Sequence, residues 1–306
     1  MRVLIVGLGS IAKKHIAALR HIDSTVELYA MRSGREAKSW DGITDLYDWN
    51  QLGSIRFDFV VISNPTSEHM PTIRRLLPFQ LPLFIEKPLH SGVIDDELIA
   101  EVKRLDIITY VGCNLRFYEC LQEAANIIRQ HRVNEINVYC GSYLPDWRPQ
   151  VDYHTVYSAN PEMGGGVHID LIHEVDYIYW LFGKPQYTHR VFTHKSSLDI
   201  RAIDYANYLM EYPEFNVNII LNYYRRDYKR TLELVCDDGT FLVDLFANTI
   251  TSGDQIIFSS TNRVVDTYLS QMKYFVECVC CNCHTINEIE DANNVLKISL
   301  QNDIER

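Results

Sequence analysis

Lys87 stands between Glu86 and Pro88 at the end of an apolar segment, in the stretch LPLFIEKPLH. The apolar run predicts a buried strand, so the lysine is expected at the end of that strand. An ammonium group held there can hydrogen-bond a substrate oxygen and stabilise the negative charge that develops on it. Pro88 restricts the backbone of the residue before it, which favours a defined position for Lys87. The alternative is an exposed lysine near the start of the next helix.

A second polar set lies in the segment GGGVHIDLIHEVD, residues 164–176. Asp170, His173 and Asp176 recur at intervals of three, which places them near one face of a predicted helix. A histidine close to a carboxylate is the usual composition of a general acid/base with an orienting partner. Either aspartate could orient His173, and the spacing does not decide between them. The alternative is an amphipathic helix whose polar side holds a histidine without a chemical role.

A glycine-rich turn, GLGSIA at residues 7–12, separates the first predicted strand from the first predicted helix. Gly7 suits the tight turn, Gly9 lets the backbone approach a pyrophosphate, and Ala12 permits close helix–strand packing. The start of the helix adds N–H groups and positive potential. The alternative is a glycine turn in a flavodoxin-like sheet that binds no dinucleotide. The predicted cofactor contacts in this turn are Gly7, Gly9, Ser10, Ile11 and Ala12.

The second predicted strand, TVELYAM, is followed by Arg32, Ser33 and Arg35 instead of an acidic residue. Dinucleotide sites for NAD commonly place Asp or Glu there to accept the ribose 2′-hydroxyl. Arg32 and Ser33 suit a 2′-phosphate through charge-assisted hydrogen bonds. The pattern therefore favours NADP over NAD, with NAD as the alternative. Without a cofactor, these residues would form a solvated loop.

Alternating strands and helices over the first third of the chain must position these groups. Buried strands are predicted for RVLIVGLG, TVELYAM, FDFVVISNP and LPLFIEKP, with helices such as IAKKHIAALRHI between them. Continuously apolar strands of this kind form parallel sheets that are covered on both faces. Open parallel sheets bind ligands at the carboxyl ends of their strands. Cofactor contacts are therefore also predicted at Asn64, Pro65 and Thr66.

The later part of the chain has a different pattern. Strand-like segments from EINVYCGSY to TFLVDLF follow one another, with turn signals such as Asp237-Asp238-Gly239. They predict a large, mostly antiparallel sheet, with a helix over HIDLIHEVDYIYWLF before most of them. The predicted fold class is α/β. A Rossmann-type parallel-sheet domain is expected at residues 1–117, and an α+β domain for substrate binding and oligomerisation at residues 118–306.

Composition limits the possible functions. The net charge of −11 argues against a nucleic-acid partner and against an anionic membrane surface, because both require a basic face. The short, glycine-broken apolar start does not suit a signal peptide, and a cytoplasmic protein is expected. The cluster ECVCCNCH, residues 277–284, has no second separated pair of the kind that zinc sites use. We expect reduced thiols there and no metal.

These motifs together resemble the glucose–fructose oxidoreductase, inositol dehydrogenase and rhizopine catabolism (Gfo/Idh/MocA) family over almost the whole chain. Their order and spacing are far more specific than any one motif. A narrower similarity, to a branch found with sugar-nucleotide and surface-polysaccharide biosynthesis, lies in YLPDWRP (143–149) and DYHTVYSA (152–159). The further motifs that carry the family resemblance are SNPTSEH (63–69), EKP (86–88), GCNLRF (112–117) and KRTLELVCDDGTF (229–241).

The resemblance implies an NAD(P)-dependent dehydrogenase acting on the CH–OH group of a sugar, polyol or nucleotide sugar. It places Lys87 at the nicotinamide, makes Asp170 and His173 the acid/base pair, and adds His69 and Glu86 to the cofactor contacts. Many members space the acid/base pair by four residues, whereas here the spacing is three. The predicted substrate contacts are Arg116, Trp147, Arg148, Tyr153, Tyr157, Asp170 and His173, although core packing is the alternative for the aromatic ones.

The resemblance also implies a homodimer or homotetramer joined through the C-terminal sheet. Two other functions remain open from the sequence. One is a redox-neutral elimination or epimerisation in which the cofactor is retained unchanged overall. The other is a non-catalytic NADP-binding sensor, which the complete set of Lys87, Asp170 and His173 argues against, since a sensor does not need those groups.

Overall fold

The computed structural model describes residues 1–34, 38–90, 92 and 95–300. They form two compact units. The first unit contains Met1–Asn114 and Val264–Asn293, and the second contains Leu115–Arg263 and the chain from Asn294 onward. The domain boundary predicted from the sequence, after residue 117, lies close to the boundary between Asn114 and Leu115. The prediction placed Val264–Asn293 in the second domain, whereas this segment belongs to the first compact unit.

The first unit is built on a parallel sheet, as the apolar runs predict. Over the described residues it has six strands in the order β3-β2-β1-β4-β5-β6, and every neighbouring pair is parallel. This is the strand order of doubly wound dinucleotide-binding sheets, with the reversal beside β1. The strands are β1 Arg2–Val6, β2 Glu27–Met31, β3 Ile43–Leu46, β4 Phe59–Ile62, β5 Leu83–Ile85 and β6 Thr109–Val111.

Helices of the described chain carry labels in chain order. They are α1 Ser10–Ile22, α2 His69–Leu76, α3 Asp96–Arg104, α4 Glu119–Gln130, α5 Val167–Asp170, α6 His173–Phe182, α7 Thr267–Cys281 and α8 Ile289–Leu300. Helix α7 belongs to the first unit because its buried Phe275 packs edge-on against Phe59 and Phe84, at centroid distances of 5.2 and 5.5 Å. The sequence pattern alone could not show this return of the chain.

The second unit contains the predicted large sheet. Within the described residues its eight strands follow the order β14-β13-β12-β11-β7-β10-β9-β8, and β7 and β10 form the parallel pair among antiparallel neighbours. The mostly antiparallel prediction is confirmed. The strands are β7 Val133–Tyr143, β8 Tyr187–Thr193, β9 Tyr205–Glu211, β10 Asn216–Asn222, β11 Tyr224–Cys236, β12 Thr240–Asp244, β13 Thr249–Ser252 and β14 Gln255–Ser259.

The predicted single helix over residues 168–182 is wrong in one respect. The chain forms the short helix α5, leaves helical geometry at Leu171 (φ −99°, ψ 33°), and starts α6 at His173. No glycine or proline lies at the break. Buried side chains on either side of the break make contacts with distant segments, Asp170 with Tyr223 and Asp176 with Arg116. In the described part of the chain, no helix has both the length and the apolar character needed to cross a membrane.

Candidate active site

Gly7 forms the turn that leads from β1 towards α1. Its φ of +96° lies in a region that favours glycine, and a Cβ built on it would lie 2.4 Å from the Asn64 backbone nitrogen. The Ser63 hydroxyl donates to the Gly7 carbonyl at 2.8 Å. The turn and the end of β4 are therefore in direct backbone contact, and no larger residue fits at Gly7.

The N-terminus of α1 has the geometry of an anion site. Gly9 is its extended N-cap residue, and a Cβ at this position would have nothing within 4 Å. The first turn holds no acidic side chain, so the positive potential of the helix end is not offset there. Ser10 is exposed, whereas Ala12 is fully buried and permits the close packing expected of it. This end of the helix can accept a pyrophosphate.

Arg32 follows β2, where the ribose-binding residue is expected. Its Nη1 lies 3.1 Å from Asp45 Oδ1, and its Nη2 donates to the Lys38 carbonyl at 3.1 Å. Both members of the Arg32–Asp45 pair have 8% side-chain exposure, so the guanidinium is held in place. Ser33 borders a cavity of about 430 Å³ that Arg32 also lines. Arg35 lies outside the described residues.

Lys87 follows β5, as predicted, and its peptide bond to Pro88 is cis. The preceding Glu86 is buried, and its Oε1 lies 2.6 Å from Nε2 of His15 on α1. The other carboxylate oxygen of Glu86 accepts the Lys87 backbone N–H at 3.2 Å. The described contacts of Glu86 are with His15 and the Lys87 backbone, and its cofactor contact stays a prediction.

His69 holds the other side of the same loop. Its Nδ1 lies 3.1 Å from the Pro88 carbonyl and its Nε2 lies 3.0 Å from the Asn64 carbonyl. Burial lowers the pKa of His69, although these carbonyls oppose the shift. A neutral ring can donate to one of the two carbonyls at a time. The described contacts therefore support a role for His69 in joining the ends of β4 and β5, and its cofactor contact stays a prediction.

The other predicted cofactor contacts after β4 are Asn64, Pro65 and Thr66. Pro65 is exposed and Thr66 is half-buried. The Asn64 side chain donates to Thr72 Oγ1 on α2 at 2.9 Å, which fixes the amide. These residues stand at the carboxyl edge of the sheet together with the Gly7 turn and Lys87, as strand-end placement in a parallel sheet predicts.

In the second unit, Asp170 ends α5 and is buried. The hydroxyl of Tyr223 donates to its Oδ2 at 2.5 Å. Burial, and then the nearby Asp170 carboxylate, raises the pKa of Tyr223 well above its ordinary value, so the phenol remains a donor. Tyr223 was missed by the sequence analysis because a buried tyrosine after a strand carries no distinguishing signal.

Several predicted substrate residues surround this Asp170–Tyr223 pair. Trp147 packs edge-on against Tyr223 at a centroid distance of 5.4 Å, and its Nε1 donates to Ser142 at 3.0 Å. Burial and Asp170 raise the pKa of Tyr157 to about 12, although the ring is partly exposed. The Arg148 guanidinium lies 5.8 Å from the centre of the Tyr157 ring. These side chains form one connected group.

Tyr153 and the glycines complete this region. The Tyr153 hydroxyl donates to the Leu198 carbonyl at 3.2 Å. A Cβ built on Gly165 would lie 1.9 Å from the Tyr157 carbonyl oxygen, so only glycine allows the chain to pass there before α5. Gly166 has a φ of +140°, and a Cβ on it would lie 2.6 Å from His168 Cε1. Gly165 and Gly166 therefore have steric reasons, whereas Gly164 has open space around it and a φ of +83° that favours glycine.

Two buried ion pairs hold α6. Arg116 donates to both carboxylate oxygens of Asp176, from Nε to Oδ2 at 3.0 Å and from Nη2 to Oδ1 at 2.7 Å. Both side chains are about 1% exposed. Arg230 Nε lies 2.6 Å from Oε1 of Glu174, which is fully buried. The described partner of Asp176 is therefore Arg116, and an orienting role of Asp176 towards His173 stays a prediction. The described contacts of Arg116 support a structural role, and its substrate contact stays a prediction.

His173 is the first residue of α6 and is half-buried. It follows Asp170 across the break at Leu171, so the two are not simply neighbours on one helical face.

Among the described residues, no group of three or more His, Cys, Asp or Glu side chains is arranged to hold a metal ion. Cys280, Cys281 and Cys283 are exposed near the end of α7.

Comparison with known proteins agrees with this description. The pattern of the oxidoreductase family with an NAD-binding Rossmann fold matches residues 1–112, and that of the GFO/IDH/MocA C-terminal domain matches residues 121–242. A curated relative, myo-inositol 2-dehydrogenase of Thermotoga maritima, is 24% identical over 302 residues. The alignment covers 90% of this chain and 87% of the relative.

Solved structures share the whole fold. Levoglucosan dehydrogenase in complex with NADH and levoglucosan matches with a TM-score of 0.82 at 14% identity, over 98% of this chain and 95% of the other. UDP-N-acetylglucosamine 3-dehydrogenase from Acidithiobacillus ferrooxidans matches with a TM-score of 0.76 at 16% identity, over 99% and 96%. At these identities the likeness shows the fold.

Fold and sequence together define a nicotinamide-dependent oxidoreductase with a Rossmann unit and an α+β unit. The chain belongs to the Gfo/Idh/MocA family, as the two domain matches show. It is therefore an enzyme of the dehydrogenase type, and the predicted family and fold class are confirmed.

Proposed function

We propose that this protein transfers a hydride between NADP and a hydroxyl-bearing carbon of a sugar, a polyol or a nucleotide sugar. The observation that carries the proposal is the carboxyl edge of the first sheet. There the glycine turn, which admits no side chain at Gly7, packs against the end of β4, and the loop of Lys87 follows the neighbouring strand β5. Buried histidines hold that loop on both sides of Lys87. The substrate classes are those in the names of the relatives, which act on inositol, levoglucosan and a UDP-sugar.

The proposed roles follow the chemistry of each group. In the oxidising direction, the substrate hydroxyl loses its proton to His173, and the Lys87 ammonium stabilises the developing alkoxide. The carbinol carbon becomes a carbonyl as its hydride leaves. The bound cofactor supplies the hydride acceptor at C4 of the nicotinamide. Asp170, whose Oδ2 accepts from the Tyr223 hydroxyl, is the proposed orienting partner of His173.

The NADP preference rests on Arg32 and Ser33. The buried Asp45 fixes the Arg32 side chain, and the two described contacts use two of the five guanidinium N–H donors. Arg32 can therefore bind a 2′-phosphate without first being ordered. Asp45 also offers a carboxylate near the same place, which would suit the ribose 2′-hydroxyl of NAD.

Titration of the protein with NADPH and NADH, read by nicotinamide fluorescence, decides between NADP and NAD as the preferred cofactor. Tighter binding of NADH would contradict the preference.

A substrate screen tests the reaction. Free sugars, polyols and nucleotide sugars are each incubated with NADP and with NAD, and the nicotinamide absorbance is followed. Net reduction with one substrate class is the expected result. A product formed without any net change in absorbance would indicate the redox-neutral elimination or epimerisation instead. Cofactor binding without turnover of any of these compounds would favour the sensor.

The proposed assembly is a homodimer or homotetramer joined through the sheet of the second unit. Leu209 and Leu242 lie in one row across this sheet and are 42% and 40% exposed, and Val191 on the edge strand is 54% exposed. Exposed apolar side chains on a sheet suit association with a second copy. Light scattering coupled to gel filtration should give a multiple of the chain mass, and Leu209→Glu should lower it. A monomeric wild-type protein would contradict this assembly.

A further inference from the structure

Lys87 is flanked on both sides by residues that buried histidines hold. On one side, His15 is fully buried on α1, and its Nε2 lies 2.6 Å from Glu86 Oε1. The other oxygen of Glu86 accepts the Lys87 N–H at 3.2 Å. On the far side, His69 Nδ1 faces the Pro88 carbonyl at 3.1 Å. The backbone of Lys87 is therefore held by its own N–H bond to Glu86 and by the contacts that its two neighbours make with the histidines.

The Glu86 carboxylate occupies a slot built from three elements. His15 comes from α1, Glu86 follows β5, and Gly112 follows β6. A Cβ on Gly112 would lie 3.4 Å from Glu86 Oε1 and 3.4 Å from Phe84 Cε1, so the carboxylate packs closely against the start of the segment after β6. The described partner of Glu86 Oε1 in this slot is His15.

The contacts also assign the proton on the His15 ring. Nδ1 is buried and has no hydrogen-bond partner among the described residues, whereas Nε2 faces the carboxylate. A neutral ring that carries its proton on Nε2 donates to Glu86 and leaves only a lone pair buried at Nδ1. The opposite tautomer would bury an N–H donor without an acceptor and lose the hydrogen bond to Glu86, which is costly. His15 is therefore a donor to Glu86.

The geometry points to His15 as a positioning residue for Lys87, acting through the Glu86 carboxylate. This inference rests on the proposed function, in which Lys87 stabilises the developing alkoxide. Helix α1 begins directly after the dinucleotide turn, so His15 connects the cofactor-binding helix to the loop that carries the ammonium group. Without the ring, the buried carboxylate loses its donor and turns towards water. The Lys87 backbone then loses its acceptor.

The test compares His15→Ala, His15→Gln and Ile16→Ala. Misplacement of a reacting group by about 1 Å can reduce rate by ~100-fold, so His15→Ala should lower kcat by roughly 10–100-fold. Binding of the cofactor, measured by fluorescence, should change by less than about threefold, since the turn at Gly7 is untouched. His15→Gln keeps an N–H donor and should recover most of kcat. Ile16 is buried on the same helix, and its truncation should lower the unfolding temperature without lowering kcat.

Two further measurements separate positioning from general loss of structure. Imidazole added to His15→Ala should fill the vacated site and restore part of kcat, with no effect on Ile16→Ala. Nitrogen-15 NMR of the wild-type protein should place the His15 proton on Nε2. If His15→Ala retains wild-type kcat, or if it loses no more than Ile16→Ala, the inference is wrong.

Lys87→Ala distinguishes this inference from the function on which it rests. Loss of turnover in Lys87→Ala, together with full kcat in His15→Ala, overturns only the role of His15. Near wild-type turnover in Lys87→Ala overturns the proposed role of the lysine, and the positioning role falls with it. Parallel losses, with recovery in His15→Gln, support both.

Discussion

The carboxyl edge of the first sheet and the α5–α6 segment of the second unit organise their polar groups in different ways. At the sheet edge, histidines hold backbone carbonyls and one carboxylate, and glycines leave space for close backbone contacts. In the α5–α6 segment, buried carboxylates are each matched by a phenol or a guanidinium.

This contrast indicates which substitutions should affect activity and which should affect stability. The described contacts hold the Lys87 loop through Glu86 and through two buried histidines. Removal of the ammonium group is therefore expected to affect turnover more than stability. Asp176 and Glu174 are buried charges whose partners would be left in an apolar environment, so their removal should destabilise the unit. His173 stands at the start of the helix that these ion pairs hold. Variants of each kind test this contrast between the two regions.

The largest effect is expected from the proposed catalytic groups. Lys87→Ala and His173→Ala should each lose turnover, by ~10²–10⁴-fold for the general acid/base. Both should still bind the nicotinamide cofactor, because neither lies in the Gly7 turn. Steady-state kinetics with a substrate from the screen, beside a cofactor titration, checks both points. A folded Lys87→Ala protein with near wild-type kcat would show that this lysine is not catalytic.

Asp170→Asn tests whether this buried carboxylate takes part in the chemistry. Both carboxylate oxygens of Asp176 are engaged by Arg116, which favours Asp170 for the orienting role. We therefore expect Asp170→Asn to lower kcat by ~10-fold or more, within the range for a general acid/base partner. Tyr223→Phe, which removes only the hydroxyl that donates to Asp170, should have a smaller effect in the same direction. Unchanged kcat in Asp170→Asn would separate this carboxylate from the chemistry.

Breaking one buried ion pair should affect stability more than chemistry. Arg116→Met leaves Asp176 buried without its partner, and such a change typically costs about 3–5 kcal/mol in the free energy of unfolding. The double variant Arg116→Met with Asp176→Leu should regain most of that loss, since no charge then remains buried. Urea unfolding of the single and double variants measures both. A single variant as stable as the wild type would mean that the pair is not structural.

Arg32→Ala should weaken NADPH binding selectively. A charge-assisted contact of this kind contributes roughly 1.5–3 kcal/mol, which corresponds to about 10–150-fold in Kd. NADH binding should stay nearly unchanged, and Asp45→Asn serves as the matched control because it removes the partner and keeps the guanidinium. Equal losses for NADPH and NADH in Arg32→Ala would point to a general structural effect.

His168 should make stability depend on pH. Burial lowers its pKa from 6.5 to about 4, because the charged ring is poorly solvated beside Phe192. As the pH falls, His168 therefore becomes protonated in the unfolded chain before it does so in the folded protein. The free energy of unfolding that the neutral ring contributes above pH 6.5 is lost as the pH falls towards 4. From pH 7.5 to pH 5 the loss should be about 2 kcal/mol. His168→Gln should reduce this slope. An identical slope in the variant would contradict the assignment.

The cysteine cluster should give the smallest effect. No metal-holding group exists among the described side chains around Cys280, Cys281 and Cys283. A chelator should therefore leave the unfolding temperature unchanged, and elemental analysis should find substoichiometric zinc. One tightly held zinc per chain would reverse this expectation.

Much of the first unit could be predicted from the sequence because its signals are local. Continuous apolar runs define β1, β4 and β5, and the parallel topology then brings Gly7, Asn64 and Lys87 to one edge. Strand β3 was missed because ITDL is short and only its last residue is buried. The family followed from motif order, which is also a property of the linear chain.

Other features depend on residues that are far apart in the chain. His15 and Glu86 are separated by 71 positions, and Arg116 and Asp176 by 60, so no local pattern indicates either pair. The same holds for Phe275, which returns α7 to the first sheet.

The helix break at Leu171 shows the limit most clearly. Local periodicity predicts one helix from residue 168 to 182, and it offers both aspartates to His173. Folding instead matches Asp170 with Tyr223 and Asp176 with Arg116, because a buried charge or polar group is costly unless a partner satisfies it. The sequence alone specifies which polar groups occur in this segment and how they are spaced. The partner of each buried group is set only in the tertiary structure, because the partners lie in segments that are distant in the chain.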